Sequence, residues 1–224
     1  MQATFPYLAG WRNSSFRLEG QSLDIPRSIT GAETVRATMR GRWAMSGEVV
    51  IHGEAAYLQW QAFLATMQGR LGTTLVPANT RFRPKDRNGR ELPFIDTASL
   101  ADAQTWEHFG LENTQLNRIT LAAFAPLRAT QLSLNLFDTT GIRPGQFFSI
   151  GERLHRVVSH WEPTAGAHRI LIEPPLRAAA GTGTPLEIER PVCRMRFASE
   201  MDGSFAQDYA DFAPKVQFQM VEAI

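Results

Sequence analysis

Pro144-Gly-Gln-Phe-Phe-Ser-Ile-Gly-Glu-Arg-Leu-His-Arg-Val-Val158, answered by Arg169-Ile-Leu-Ile-Glu-Pro-Pro-Leu-Arg177, is the stretch from which the fold class is read. Side chains of an extended segment alternate between faces, so Phe147, Ser149 and Gly151 share one face and Phe148, Ile150 and Glu152 the other. Ile150-Gly-Glu-Arg153 reads as a tight turn. A second strand over 154–159 then sets Leu154, Arg156 and Val158 opposite His155, Val157 and Ser159. Pro163 and Gly166 favour chain reversal in the loop 162–167. A third strand begins at Arg169 and stops at Pro174-Pro175, because neither proline can donate a ladder hydrogen bond. Three short strands this close together predict a small antiparallel barrel or meander.

Upstream, residues 34–51 alternate with a period of two: Val35, Ala37, Met39, Gly41, Trp43, Met45, Gly47, Val49 and Ile51 on one side, Arg36, Thr38, Arg40, Arg42, Ser46 and Glu48 on the other. The run is long for one strand, which predicts a bend near Arg40-Gly41 or a protruding hairpin. The period then changes. Tyr57, Trp60, Phe63, Leu64, Met67 and Leu71 fall three or four apart, predicting an amphipathic helix over 54–71 with Gly69 and Gly72 as terminators. Residues 1–30 carry short apolar islands and read as short strands or an arm. Alternation returns in 130–137, 186–190, 192–197 and 215–222, and the last strand is expected to rejoin the sheet begun by 34–51. Residues 178–185 read as a flexible loop of small side chains. The domain organisation expected is therefore 1–90 as a first unit, 91–127 as an insertion of unassigned fold, 128–190 as the small barrel, and 191–224 as strands returning to the first unit. A short helix over 98–109 and a strand over 118–124 are expected inside the insertion.

The 224 residues, 43% of them hydrophobic, are ample for a packed core. No run of eighteen apolar residues occurs, and the N-terminus lacks a signal-peptide pattern, so synthesis and folding in a cytosol are expected. A single cysteine, Cys193, excludes an intrachain disulfide and leaves too few thiolates for a cysteine-based zinc site. The net charge of +1 offers no global field to a polyanion. The cations are nevertheless skewed, because of 23 only Lys85 and Lys215 are lysine. Arginine's forked, weakly hydrated head suits partly buried interfaces, although a GC-rich genome gives the same bias. Arg81, Arg83, Lys85, Arg87 and Arg90 crowd into ten residues with Pro84 and Asn88-Gly89, an exposed basic loop that either meets a phosphate backbone or acidic partner or is simply solvated.

Catalytic patterns are missing. There is no HExxH, no GxxxxGK[ST] and no GxSxG, and Gly181-Thr-Gly183 lacks the later glycine of a dinucleotide loop. His155 and His160, five apart on an alternating strand, fall on opposite faces and suit no single metal ion. Cys193 reads as a buried small hydrophobe. The acidic pairs Glu187/Glu189 and Asp208/Asp211 are too common a pattern to indicate glycoside hydrolysis. Trp43, Trp60, Trp106 and Trp161 are platforms for stacking or, more often, core. No catalytic residue, cofactor site or metal site is expected.

Arg42-Trp43, Trp60-Gln-Ala-Phe-Leu-Ala-Thr-Met-Gln-Gly-Arg70, Gly145-Gln-Phe-Phe-Ser-Ile-Gly151 and Ile172-Glu-Pro-Pro-Leu-Arg177, in that order, resemble the distal tail proteins of long-tailed bacteriophages and related prophages. The resemblance runs over most of 16–86 and 130–224. The chain departs from the family at Gln146, where Asp is usual, and at residues 91–127, a more elaborate segment where the family has a Gly-rich link. The resemblance implies a tail-tube-like β-sandwich with one helix plus a small barrel, mainly β overall. It also implies a ring, usually of six copies, at the distal end of the virion's tail. Its partners would be the tail tube protein and the hub protein, with tail fibres or the tape measure protein beyond, and no membrane or sequence-specific nucleic-acid contact. Arg36, Arg40 and Arg42 would then lie in contacts between subunits, and Arg81, Arg83, Lys85, Arg87 and Arg90 against an adjoining ring or the lumen. The residues themselves leave other readings open: a hub or minor tail protein, a cell-wall hydrolase, a nucleic-acid binder, or a glycan-binding module using Trp106 or Trp161.

Overall fold

The computed structural model describes residues 2–6, 10–23, 35–38, 40–78, 82, 85, 119–137, 139–188, 190–205 and 213–224. Among the described residues the fold is mainly β, with one helix and two principal sheets, one of them curled into a half-barrel. The chain divides into two units, Met1–Ala78 with Val192–Ile224, and Asn79–Pro191. The first unit thus ends before residue 90, and the second begins well before 128. Residues 119–127 belong to the second unit because β7 (Ile119–Leu121) pairs antiparallel with β8 (Gln131–Leu136). The expected helix over 98–109 lies outside the described residues.

The first unit is a six-stranded sheet. Its order is β1 (Gln2–Ala3), β6 (Thr73–Pro77), β12 (Val192–Phe197), β13 (Lys215–Glu222), β5 (Arg42–Val50) and β2 (Gly10–Glu19). β13 runs antiparallel to β5 from Lys215↔Val50 to Val221↔Ala44, so the C-terminal strand sits in the centre of the sheet. The alternation over 34–51 divides: β4 (Arg36–Ala37) pairs with β3 (Ser22–Leu23), the backbone turns at Arg40, and β5 follows. In β5 the period of two separates buried Trp43, Met45, Gly47 and Val49 from exposed Arg42 and Ser46. Gly47 is required by space, since a Cβ there would lie 2.8 Å from the Phe218 ring.

Helix α1 (Gly53–Met67) lies on the apolar face of this sheet. Ala56, Trp60, Phe63 and Met67 are its buried stripe, and the Trp60 ring lies 5.6 Å from that of Phe218. Phe63 meets Phe197 edge-on at 5.9 Å. The helix stops four residues earlier than the apolar spacing predicts. Gln68 takes a left-handed φ of 47° and its N–H closes on the Leu64 carbonyl at 3.1 Å, so Leu71 falls beyond the helix and is 79% exposed.

The second unit is a five-stranded antiparallel sheet in the order β7, β8, β11 (Ala167–Glu173), β10 (Arg153–Thr164), β9 (Phe147–Ile150). Its core gathers Ile119, Leu121, Leu132, Leu134, Phe148, Val157, Ile170 and Ile172. The expected strand over 186–190 is not a regular one. Instead residues 184–187 bridge the two edges: Leu121 N–H donates to the Thr184 carbonyl and Leu186 N–H to the Ile119 carbonyl, each at 2.9 Å. Ser149 and Glu187 exchange backbone bonds of 2.8 and 2.9 Å on the far edge. This short segment buries Leu186 and Ile188 in the core, and the loop 178–185 is likewise tied down, with Ala125 and Ala180 bonded to each other.

The predicted turn at 150–153 is present, with Arg153 paired to Ile150 and Gly151 at φ 58°. The strand alternation fails further on. A bulge between Val157 and Ser159 shifts the register of β10 against β11, so that Val157 faces Ile172 and His160 faces Ile170. His155, Val157 and His160 therefore share the core side of the sheet, and the expectation that His155 and His160 oppose each other is overturned by the one extra residue.

Candidate functional site

Four of the expected interface residues, Arg36, Arg40, Arg42 and Lys85, are among the described residues. Arg36 is exposed on β4, Arg40 on the turn that follows it, and Arg42 at the first position of β5. Lys85 belongs to the second unit, where its carbonyl accepts from Thr139 Oγ1 at 2.9 Å and from the Thr140 N–H at 3.2 Å. Arg81, Arg83, Arg87 and Arg90 lie outside the described residues.

Arg42 does gather others around it. On the solvent face of the first sheet, Arg17 and Glu19 alternate with inward-facing Phe16 and Leu18 along β2, and the ladder sets Glu19 opposite Arg42 and Arg17 opposite Ala44. Arg70, from the turn after α1, reaches the same place. Arg17, Glu19, Arg42 and Arg70 line a groove of about 330 Å³ whose floor includes Ala44, Ser46, Gln219 and Val221. Arg17 Nη2 and Glu19 Oε1 are 2.7 Å apart, an exposed pair of little energetic weight. Three guanidinium groups against one carboxylate give the groove a positively charged lining, which suits carboxylate or phosphate groups of a partner. The other end of the same face differs. There Glu48 accepts from Arg12 Nη1 at 2.6 Å, and Asp202 accepts the Ser199 N–H at 2.6 Å, so the acidic groups are already engaged.

Only Arg42 of this groove belonged to the expected set. Arg17, Glu19 and Arg70 sit in three separate segments, and nothing but the β2–β5 register and the helix end brings them together.

Among the described residues no group of three or more His, Cys, Asp and Glu could hold a metal ion. Trp43 and Trp60 are fully buried and offer no platform, and Cys193 is buried in β12. Trp161 is half-buried and opposes Arg169 on β10 and β11.

Two histidine environments in the second unit stand out. His155 is 1% exposed, stacks on Phe148 with ring centres 5.5 Å apart, and its Nδ1 lies 2.8 Å from the Pro174 carbonyl, which fixes that nitrogen as the protonated donor. Burial pushes its pKa down to about 4; the Pro174 carbonyl opposes this, and Arg177 and Arg153 add to it. The folded state therefore takes up the proton less readily than the unfolded chain. Stability is fully present above the unfolded value of about 6.5 and falls as pH drops toward 4. Between pH 7 and 4.5 this group alone should remove about 2–3 kcal/mol. Denaturant unfolding of wild type and His155→Gln at both pH values should show the variant losing that much less on acidification; equal losses would place the titration elsewhere.

The second environment is the pair across the hairpin. His160 Nε2 and His168 Nδ1 lie 3.3 Å apart, with ring centres at 5.4 Å. His160 is held below its ordinary pKa by partial burial and then by His168, with Glu162 acting in the opposite sense. A search against models of known protein families and a search among curated proteins each returned no match.

Proposed function

We propose that this chain is a structural protein of the tail tip of a long-tailed bacteriophage, a subunit of the distal ring that joins tail tube to hub and fibres. The observation that carries the reading is where the four resembling stretches fall in the fold. Arg42-Trp43 opens β5, Trp60 to Arg70 spans the C-terminal half of α1 and its cap, Gly145 to Gly151 forms β9 with its entry and exit, and Ile172 to Arg177 ends β11. Each is a packing or turn element, so the stretches that carry the resemblance coincide with the skeleton of both units. A second support is the ten-residue strand β2 at one edge of the first sheet, a row of backbone donors and acceptors on which a neighbouring copy can continue the sheet.

On this reading the arginine-lined groove beside β2 meets acidic groups of the neighbouring copy. Replacing Arg42 and Arg70 by glutamate should weaken self-association of the purified protein at least about tenfold, measured by sedimentation velocity over a concentration series. The circular dichroism spectrum should be unchanged, because both side chains are exposed. Association equal to wild type would remove the groove from the contact.

A further inference from the structure

We infer that His160 and His168 form a two-imidazole site for a borderline divalent cation, zinc in the first instance, at the margin of the core in the second unit. The geometry rests on the fold. The bulge after Val157 turns His160 to the same side of the sheet as Ile170, and His168 lies two residues before Ile170 on the adjacent strand, a diagonal cross-strand pair. His168 is in turn opposite Leu134, whose side chain belongs to the core. Both rings are half-buried, which restricts their rotamers and holds the two nitrogens toward each other.

Two nitrogens bound at about 2.0–2.1 Å to one tetrahedral zinc are about 3.3–3.4 Å apart. His160 Nε2 and His168 Nδ1 are separated by 3.3 Å, the bite of such a chelate. Gly141, at φ 90°, lies beside the pair, where a Cβ would make only ordinary contact, 3.6 Å, with His160 Cε1. Zinc would replace the single hydrogen bond between the rings and take one lone pair from each. No third His, Cys, Asp or Glu joins the pair among the described residues, so the remaining coordination positions fall to water or to a donor from outside. The site is accordingly a chelating surface pair and not a closed structural zinc site.

The test titrates ZnCl2 into the full chain at neutral pH while the histidine ring nitrogens are followed by nuclear magnetic resonance. The inference predicts saturable binding of one zinc per chain, with His160 Nε2 and His168 Nδ1 shifting together and His52 unmoved. His160→Gln or His168→Gln should each weaken binding at least about tenfold, and His52→Gln should not. The idea fails if the two ring nitrogens do not respond to zinc in the wild-type protein, or if both substitutions leave the affinity as it was. The wild-type spectrum decides the matter even if a variant misfolds.

Discussion

Truncating Trp60 to alanine should destabilise the first unit by about 3–5 kcal/mol, the range for deleting a large aromatic ring from a packed core. The ring is fully buried, lies 5.5 Å from Phe63 and 5.6 Å from Phe218, and its Nε1–H donates to the Gly203 carbonyl at 2.9 Å. Two costs therefore add. A cavity opens between α1 and the sheet, and the Gly203 carbonyl loses its partner across 143 residues of sequence. Trp60→Phe separates them, because it keeps most of the apolar volume and loses the donor. Its expected cost is about 1–3 kcal/mol. Urea unfolding followed by circular dichroism should rank wild type above Trp60→Phe and that above Trp60→Ala. A loss for Trp60→Ala below about 1 kcal/mol is incompatible with the packing described, since that is the scale of an ordinary surface change.

The second large effect is expected from one methyl group. A Cβ on Gly72 would lie 2.7 Å from both the Cα and the carbonyl oxygen of Met67, which are backbone atoms and cannot swing aside. The same oxygen accepts the Gly72 N–H at 2.7 Å, so the close approach is what fastens the end of α1 to the start of β6. Gly72→Ala should cost about 3 kcal/mol, at the upper end for an overpacked site. Gly53→Ala is the contrast. Nothing lies within 4 Å of a Cβ there, and only its φ of 80° opposes a side chain, a penalty of about 1 kcal/mol. Denaturant midpoints of the two variants measured together should differ clearly, and equal midpoints would show that the helix end relaxes to accept the methyl group.

How far the chain could be read from its residues follows from these same elements. The alternation in β5 was legible because one face must bury Trp43, Met45 and Val49 while the other meets water. The helix was legible from Trp60, Phe63 and Met67, but not its end, because the left-handed turn is made by Gln68, a residue with no special claim to it, one place before Gly69. The tight turn at Gly151 and the stop at Pro174 came from local chemistry that does not depend on the rest of the fold. The bulge after Val157 left no such mark, and a single extra residue reversed the facing of His160 and concealed its pairing with His168. The closing segment 184–187 was hidden for another reason: its partners, Ile119, Leu121 and Ser149, are far away in sequence and on two different strands. The groove was legible only at Arg42, since Arg17 and Arg70 reach it through strand register and a helix end.

The role proposed for this protein, a subunit of the distal ring of a phage tail, can be tested on particles. The most direct measurement is electron microscopy of particles from the strain that encodes it, labelled with gold-tagged antibody against the chain. The account predicts label confined to the distal end of each tail, and class averages of the unlabelled tip showing a ring that encloses a central channel. Label spread along the tube, label on the head, or purified particles with no trace of the chain would contradict it.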